Sequence, residues 1–313
     1  MGDVPMKRTT IDNARERKPY EKLCGLAIEK KYKHTHNKDV KSINLHICGV
    51  CNYRCGFCFT RNLERSTLPP DEWESILELF EKEGVMKITI VGGEPTMHPQ
   101  FIELCELAKS KGFIVSVVTN GSLIDSKLIK NMKGVVDWIG LSVDSPDNEV
   151  EKAVGRQCQG VNHIENIIKV ADTAHENGIK VKLNITVIRQ SYRQDFSELI
   201  RRVNPERVKA FQVLRVEGEK EDSYDEYSIT KEEWEYFVGN HKDIMLQNRT
   251  KMVFEGGDDM IDSYVMLDPR GEFIMNSGNR QSYASFDEVM AKGLAAAVDV
   301  GKYHRRGAVY NYE

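Results

Sequence analysis

Short runs in which hydrophobic and polar positions alternate recur along this chain, separated by stretches of helical period. Ile43–Ile47 (INLHI) alternates as a strand and leads into a cysteine-rich loop. Pro69–Gly84 reads as a helix, with proline at its start, acids in the first turn and glycine at its end. Lys87–Val91 is a second strand, running into Gly92-Gly93-Glu94-Pro95. A helix from about Pro99 to Lys111 precedes a third strand over Phe113–Gly121, and a helix around Leu123–Met132 precedes a fourth over Trp138–Asp144. A helix from about Val161 to Asn177 leads to Ile179–Ile188, and another over Ser197–Val203 leads to Arg207–Leu214. Strands that each alternate with a helix predict a parallel sheet with right-handed crossovers, either doubly wound or closed as a barrel. After about Glu217 the alternation stops. There follow a charged loop, a capped helix over Thr230–Lys242, a hairpin turning at Pro269-Arg270-Gly271, and a last helix near Phe286–Val298. The expected organisation is a charged extension over 1–41, the alternating unit over 42–217, and a cover over 218–313.

The chemistry is concentrated in the loop after the first strand, CNYRCGFC, which carries Cys51, Cys55 and Cys58. Spacing this tight lets one loop wrap three thiolates around a single centre. A closed zinc site takes four protein ligands, and an ordinary iron–sulfur cluster takes four cysteines. Cys48 lies close enough that the run also reads as two CxxC pairs, a zinc knuckle or a ferredoxin-type loop. Zinc ribbons separate such pairs by about fifteen to twenty residues, and the proline that trails a ferredoxin run is Phe59 here. With three ligands, one iron of a cluster stays open to a substrate or cofactor.

CxxxCxxC with an aromatic, Phe57, before its last cysteine resembles the radical S-adenosylmethionine (SAM) superfamily. The resemblance implies an α/β fold, an incomplete (β/α)6 radical SAM barrel with a C-terminal extension over its mouth, and a 4Fe–4S cluster on Cys51, Cys55 and Cys58. It also implies SAM bound by Gly92, Gly93 and Glu94, which resemble the stretch that meets the methionine amine. Asn120, Ser142 and Arg156 would contact the rest of SAM. In such folds the chemistry lies at the carboxyl ends of the strands, where these motifs fall.

The fifth and sixth strands point to a substrate. Strands of a parallel barrel are buried on both faces and should read as apolar runs. Instead Lys182, Asn184 and Thr186 alternate with Val181, Leu183, Ile185 and Val187, and Arg207, Lys209 and Phe211 share one direction of the next strand. Cations facing into a barrel need partners, and few acids in these strands could supply them. A triphosphate would. The alternative is that Lys182 and Arg207 sit at strand ends and face water.

The order and spacing of CGFCF, GGEP, NGSLI, VGRQ with VNHIEN, KLNITVI, RVKAFQVL and IDSYVMLD, from about Asn44 to Asp268, are similar to the viperin family of radical SAM enzymes. That likeness implies dehydration of a ribonucleoside triphosphate to its 3′-deoxy-3′,4′-didehydro analogue, a chain terminator in antiviral defence. It implies a phosphate-binding set of Arg156, Lys182, Asn184, Arg207 and Lys209, substrate contacts from Asn44 and His46, and Tyr264 beside the ribose as the candidate catalytic residue for the final electron or proton step. A reductase, ferredoxin or flavodoxin would donate electrons. Animal members carry a membrane-binding amphipathic helix; the stretch before Asn44 is charged and lacks a broad apolar face.

The formal charge of -4 over 313 residues gives no global argument for nucleic acid or membrane. Seven cysteines in one tight cluster and scattered positions suit a reducing cytoplasm. A radical SAM enzyme acting on peptide or RNA, and a structural metal-binding interaction protein, stand as alternatives. The chain shows no auxiliary cysteine cluster and no basic nucleic-acid module.

Overall fold

The computed structural model describes residue 37 and residues 39–157, 160–214, 221–277 and 280–306. Most of the expected N-terminal extension, part of the charged loop after Glu217 and the end of the tail therefore lie outside the described residues. The predicted strands are present as β1 (Ser42–His46), β2 (Lys87–Val91), β3 (Ile114–Thr119), β4 (Trp138–Ser142), β5 (Lys180–Val187) and β6 (Arg207–Gln212). All six pair in parallel, in chain order. The sheet does not stop there. A seventh parallel strand, β7 (Val253–Glu255), pairs with β6. At the other edge β8 (Met266–Leu267) runs parallel to β1 and turns into β9 (Phe273–Met275) and β10 (Ser282–Ala284). The order β10-β9-β8-β1-β2-β3-β4-β5-β6-β7 leaves β7 and β10 as separate ends. The result is an open, partial barrel.

The helices begin and end where the local chemistry dictates. In α1 (Pro70–Lys82) proline at the first position removes an N–H that would have no partner, while Asp71 and Glu72 complement the positive end of the helix. Trp73, Ile76, Leu77 and Phe80 recur at helical spacing and are buried. They pack with Leu45, Ile47, Ile88 and Ile90 of the sheet. Later in the chain, α5 (His163–Glu176) is capped by Asn162, whose side chain accepts from Glu165 N at 3.1 Å. Between β4 and this helix lies α4 (Asn148–Ala153), which the hydropathy pattern does not announce. The helix α2 (Phe101–Ser110) and the helix α3 (Ser126–Met132) fill the earlier crossovers.

Register sorts the two faces of the sheet. Ile43, Leu45, Ile88, Ile90, Val115, Val117, Ile139, Leu141, Val181, Leu183, Ile185, Val208 and Ala210 face the helices and make the core. Residues paired across strands share a face. On the opposite face Asn44 lies beside Thr89, Thr89 beside Ser116, Gly140 beside Lys182, Lys182 beside Arg207, and Asn184 beside Lys209. The polar face of the barrel thus extends beyond β5 and β6, with Asn44, Thr89 and Ser116 contributed by β1, β2 and β3.

The C-terminal segment closes on the first strand. The hydroxyl of Tyr303, in α11 (Val300–Arg305), accepts from Lys41 N at 2.9 Å and Ser42 N at 2.8 Å. Tyr303 is fully buried, so Tyr303→Phe leaves two backbone donors without their acceptor. This should lower unfolding free energy by about 1–3 kcal/mol, measured by urea denaturation; an unchanged midpoint and slope would show that the contact does not hold the helix.

Candidate active site

The cysteine loop leaves β1 and is held on two sides by backbone. Gly93 N donates to Cys48 O at 2.6 Å and Glu94 N to Val50 O at 2.8 Å. From the other side, Arg54 N donates to Gly155 O at 2.9 Å and Gly56 N to Val154 O at 3.0 Å. The close approach explains the glycine after β2: a Cβ on Gly92 would lie 2.6 Å from Cys48 O. Inside the loop, buried Tyr53 reaches His163 Nδ1 at 3.2 Å, and His163 Nε2 faces the Ser142 carbonyl at 2.9 Å. A carbonyl only accepts, so Nε2 carries the proton and Nδ1 accepts from the Tyr53 hydroxyl. Burial, reinforced by the Arg156 charge, lowers the His163 pKa to about 3 and keeps the ring neutral.

Cys51, Cys55 and Cys58 are free thiols. Cys51 Sγ accepts from Tyr53 N at 3.4 Å, Cys58 Sγ lies 3.2 Å from Thr60 Oγ1, and burial pushes the Cys55 thiol up to about 12. Each thiol lies within electrostatic reach of the others. Among the described residues, no three His, Cys, Asp or Glu side chains converge on a single ion. A cluster places each thiolate on a different iron, and three free thiolate donors on one loop fit that demand. Cys48 is different: buried, raised to about 11 by desolvation, it donates to Glu94 O at 3.3 Å. Cys158 lies outside the described residues.

Glu94 fastens the second strand end to the third. Its Oε1 accepts from Thr96 N, Thr96 Oγ1 and Thr119 Oγ1 at 3.2, 2.5 and 2.7 Å, and its Oε2 from Asn120 N at 2.8 Å. Burial raises its pKa, and these donors oppose the rise. Asn120 Nδ2 in turn donates to Asn52 Oδ1 of the cysteine loop at 2.9 Å. Arg156 pairs with Asp144, stands 3.7 Å from Glu151 Oε2, and lies 5.8 Å over the Phe57 ring. Glu151 Oε1 accepts from Asp144 N at 2.6 Å and Ser145 N at 2.8 Å, while burial and the Asp144 charge raise its pKa. Arg156 stays charged: burial opposes this, but Asp144, Cys55 and Glu151 outweigh it. It belongs to the cysteine-loop side of the site. Tyr227 covers that side with its ring 5.5 Å from Phe57.

Lys182 and Arg207, and Asn184 and Lys209, lie side by side on the polar face. β5 and β6 carry no acid of their own, as expected, but the neighbouring strand supplies one. Lys209 is paired with buried Glu255 of β7, which also accepts from the Tyr264 hydroxyl. The acid comes from a strand that the hydropathy pattern missed. Asn44 and His46 join the same face through β1. Buried His46 reaches the Gly92 backbone, and Asn184 Oδ1 has no hydrogen-bond partner among the described residues. Desolvation lowers the His46 pKa to about 4. Sequence reasoning also passed over Lys87 and Ser116, both buried on this face. The alternation in KITIV was signal enough for Lys87, since its polar positions sit on the side opposite Ile88 and Ile90.

A neutral buried histidine makes stability depend on pH. The unfolded state takes a proton near pH 6.5, whereas folded His163 does so only near 3. The unfolded state therefore binds more protons between these values, and stability is complete above about 6.5 and falls as pH drops toward 3. Between pH 7 and pH 5, His163→Gln should lose on the order of 2 kcal/mol less unfolding free energy than the parent. Equal losses of unfolding free energy in parent and variant between the two pH values, read from urea titrations, would rule out this contribution.

The Radical SAM superfamily model matches residues 45–203. An S-adenosylmethionine-dependent nucleotide dehydratase of Thermoplasmatales archaeon (strain ISO4-H5) is 45% identical over 89% of this chain and 98% of its own length. A protein of the same name from Flammeovirga pacifica is 32% identical over 86% of this chain and 93% of its own. The S-adenosylmethionine-dependent nucleotide dehydratase RSAD2 of Oncorhynchus mykiss is 32% identical over 74% and 68%. Among solved structures, Streptococcus suis SuiB bound to S-adenosylmethionine superposes with a TM-score of 0.61 at 20% identity, covering 90% of this chain and 70% of that one. The anSMEcpe structure with bound AdoMet gives 0.63 at 18% identity, covering 84% and 81%; both are likenesses of fold. From its cysteine loop to its open parallel barrel, this chain belongs to the radical SAM superfamily.

Proposed function

We propose that the chain dehydrates a ribonucleoside triphosphate to its 3′-deoxy-3′,4′-didehydro analogue. The observation that carries this reading is the polar interior of the sheet, where Lys87, Lys182, Arg207 and Lys209 share one face with Asn44, His46 and Asn184. A face with these cations attracts a polyanion, and ribose hydroxyls would hydrogen-bond the buried Asn184 Oδ1, which accepts from no group among the described residues. The names of the similar archaeal, bacterial and fish proteins support the same chemistry.

In this reading Cys51, Cys55 and Cys58 hold a 4Fe–4S cluster, and Gly92, Gly93, Glu94, Asn120, Ser142 and Arg156, with Phe57 at the rim, form the SAM side of the site. When bound, these cofactors supply a reducing electron and a hydrogen-abstracting radical. The chain's own work is positioning. Backbone bonds from Gly93 and Glu94 fix the cysteine loop against the second strand end. Lys182, Asn184, Arg207 and Lys209 hold the triphosphate, which leaves the ribose toward Asn44, His46 and Tyr264. An external donor of the ferredoxin or flavodoxin class would provide the electrons. Among the described residues no helix is long and apolar enough to cross a membrane.

Anaerobically reconstituted protein, incubated separately with the four ribonucleoside triphosphates, SAM and a reductant, should convert at least one of them to a product lighter by one water. SAM cleavage with no such product from any nucleotide would overturn the reading.

The phosphate assignment has its own test. A charge-assisted hydrogen bond contributes roughly 1.5–3 kcal/mol, so Lys182→Ala should weaken triphosphate binding about ten- to a hundredfold and leave SAM binding in place. Calorimetry should show affinity falling from tri- to di- to monophosphate in the parent and a flatter gradient in the variant. Equal affinities for all three in the parent would assign these cations to the fold.

A further inference from the structure

β7 ends in a carboxylate that joins two parts of the candidate site. Glu255 is 1 % exposed; its Oε1 pairs with Lys209 and its Oε2 accepts from the Tyr264 hydroxyl. Its backbone position is set by pairing with Phe211 of β6, two residues along from the pairing of Lys209 with Val253 and so on the same face. The Tyr264 ring is fixed from another side, with the Arg306 guanidinium 3.7 Å from its centroid. Arg306 is itself anchored, donating from Nε to Ser263 O at 2.6 Å. Burial pushes the Glu255 carboxyl up, but the charges of Lys209 and Arg306 and the two hydrogen bonds outweigh it and hold the group ionised.

We propose that Glu255 is a positioning residue: one carboxylate with two acceptor oxygens holds Lys209 and Tyr264 at a fixed separation. The phosphate end and the ribose end of the nucleotide are thereby placed in register. This rests on the function proposed above. The competing role is simple charge compensation, in which Glu255 neutralises a buried lysine and Tyr264 is incidental.

The two roles separate once the lysine is removed. In a Lys209→Met background no buried ammonium needs compensation, so Glu255→Gln and Glu255→Leu should both fold. Glutamine keeps one acceptor oxygen for Tyr264, and leucine keeps none. At saturating nucleotide, Lys209→Met/Glu255→Gln should retain the product formed per SAM cleaved by Lys209→Met alone. Lys209→Met/Glu255→Leu should fall about tenfold, the equivalent of one lost hydrogen bond. Equal yields from the glutamine and leucine variants would reduce Glu255 to charge compensation. A thermal-unfolding cycle between Glu255→Gln and Tyr264→Phe in the Lys209→Met background reads the same contact without catalysis. Non-additive shifts in Tm support the contact, and additive shifts overturn it. Failure of the parent to dehydrate any nucleotide would sink the proposed function while the unfolding cycle still reports on Glu255.

Discussion

A parallel sheet with one apolar and one charged face is the constraint on which the rest of this structure depends. Parallel strands are ordinarily covered on both sides and apolar on both. Here the helices cover one side only, and Ile88, Ile139, Leu183 and Val208 lie on it. The other side carries buried Lys87, Lys209 and Glu255. A buried charge is tolerated only when paired, so the polar side cannot be arranged freely: each charge needs a counter-charge or polar partner close by. Glu255 beside Lys209, and Asp144 with Glu151 beside Arg156, are those arrangements in the protein itself. Such an interior suits a polar ligand better than an empty core.

The cysteine loop depends on the same sheet in a different way. Its backbone is bonded to the turn after β2 and to the turn at Gly155, and its Tyr53 is bonded through His163 to the end of β4. Three thiols on a free loop would lose conformational entropy on gathering a cluster. Here the cost is met during folding, because the loop is fixed by groups that already belong to strand ends. Gly92 and Gly155 permit the approach, and Gly155 also has a positive φ of 82°. The neutrality of His163 matters for the same reason. A protonated ring would lose its acceptor for Tyr53 and would place a second cation near Arg156.

Much of this was legible in the sequence, and what was not has identifiable causes. Six strands and the cysteine loop followed from alternation and spacing, since each segment carries its own period, whereas the barrel order of the strands followed from the resemblance to the radical SAM superfamily. β7 was missed because three residues, Val253–Glu255, cannot show one. Missing β7 hid Glu255, because the expectation about acids covered the fifth and sixth strands alone. The polar alternation in Lys87–Val91 was present but was absorbed into an ordinary strand assignment. Only register shows that its polar positions face Asn44. Arg156, assigned from sequence to both ligands, lies against Phe57 and Asp144 because the turn at Gly155 directs it to the cysteine loop. Position along the chain did not distinguish the two sides, and packing places the guanidinium beside the cysteine loop.

The pairing of charges also bears on which cations can serve a ligand strongly. Lys209 already has a carboxylate in contact, so part of its field is spent inside the protein, and an incoming phosphate meets a dipole more than a bare cation. Arg156 is similarly engaged with Asp144. Lys182 and Arg207 are less deeply buried and lie next to each other across β5 and β6. In the proposed nucleotide site an incoming polyanion would therefore meet the Lys182–Arg207 pair before Lys209. Lys209 would then act through geometry, set by Glu255, more than through charge. A site built this way divides its labour by depth: the outer cations draw the polyanion in, and the inner neutralised lysine and tyrosine fix where it stops.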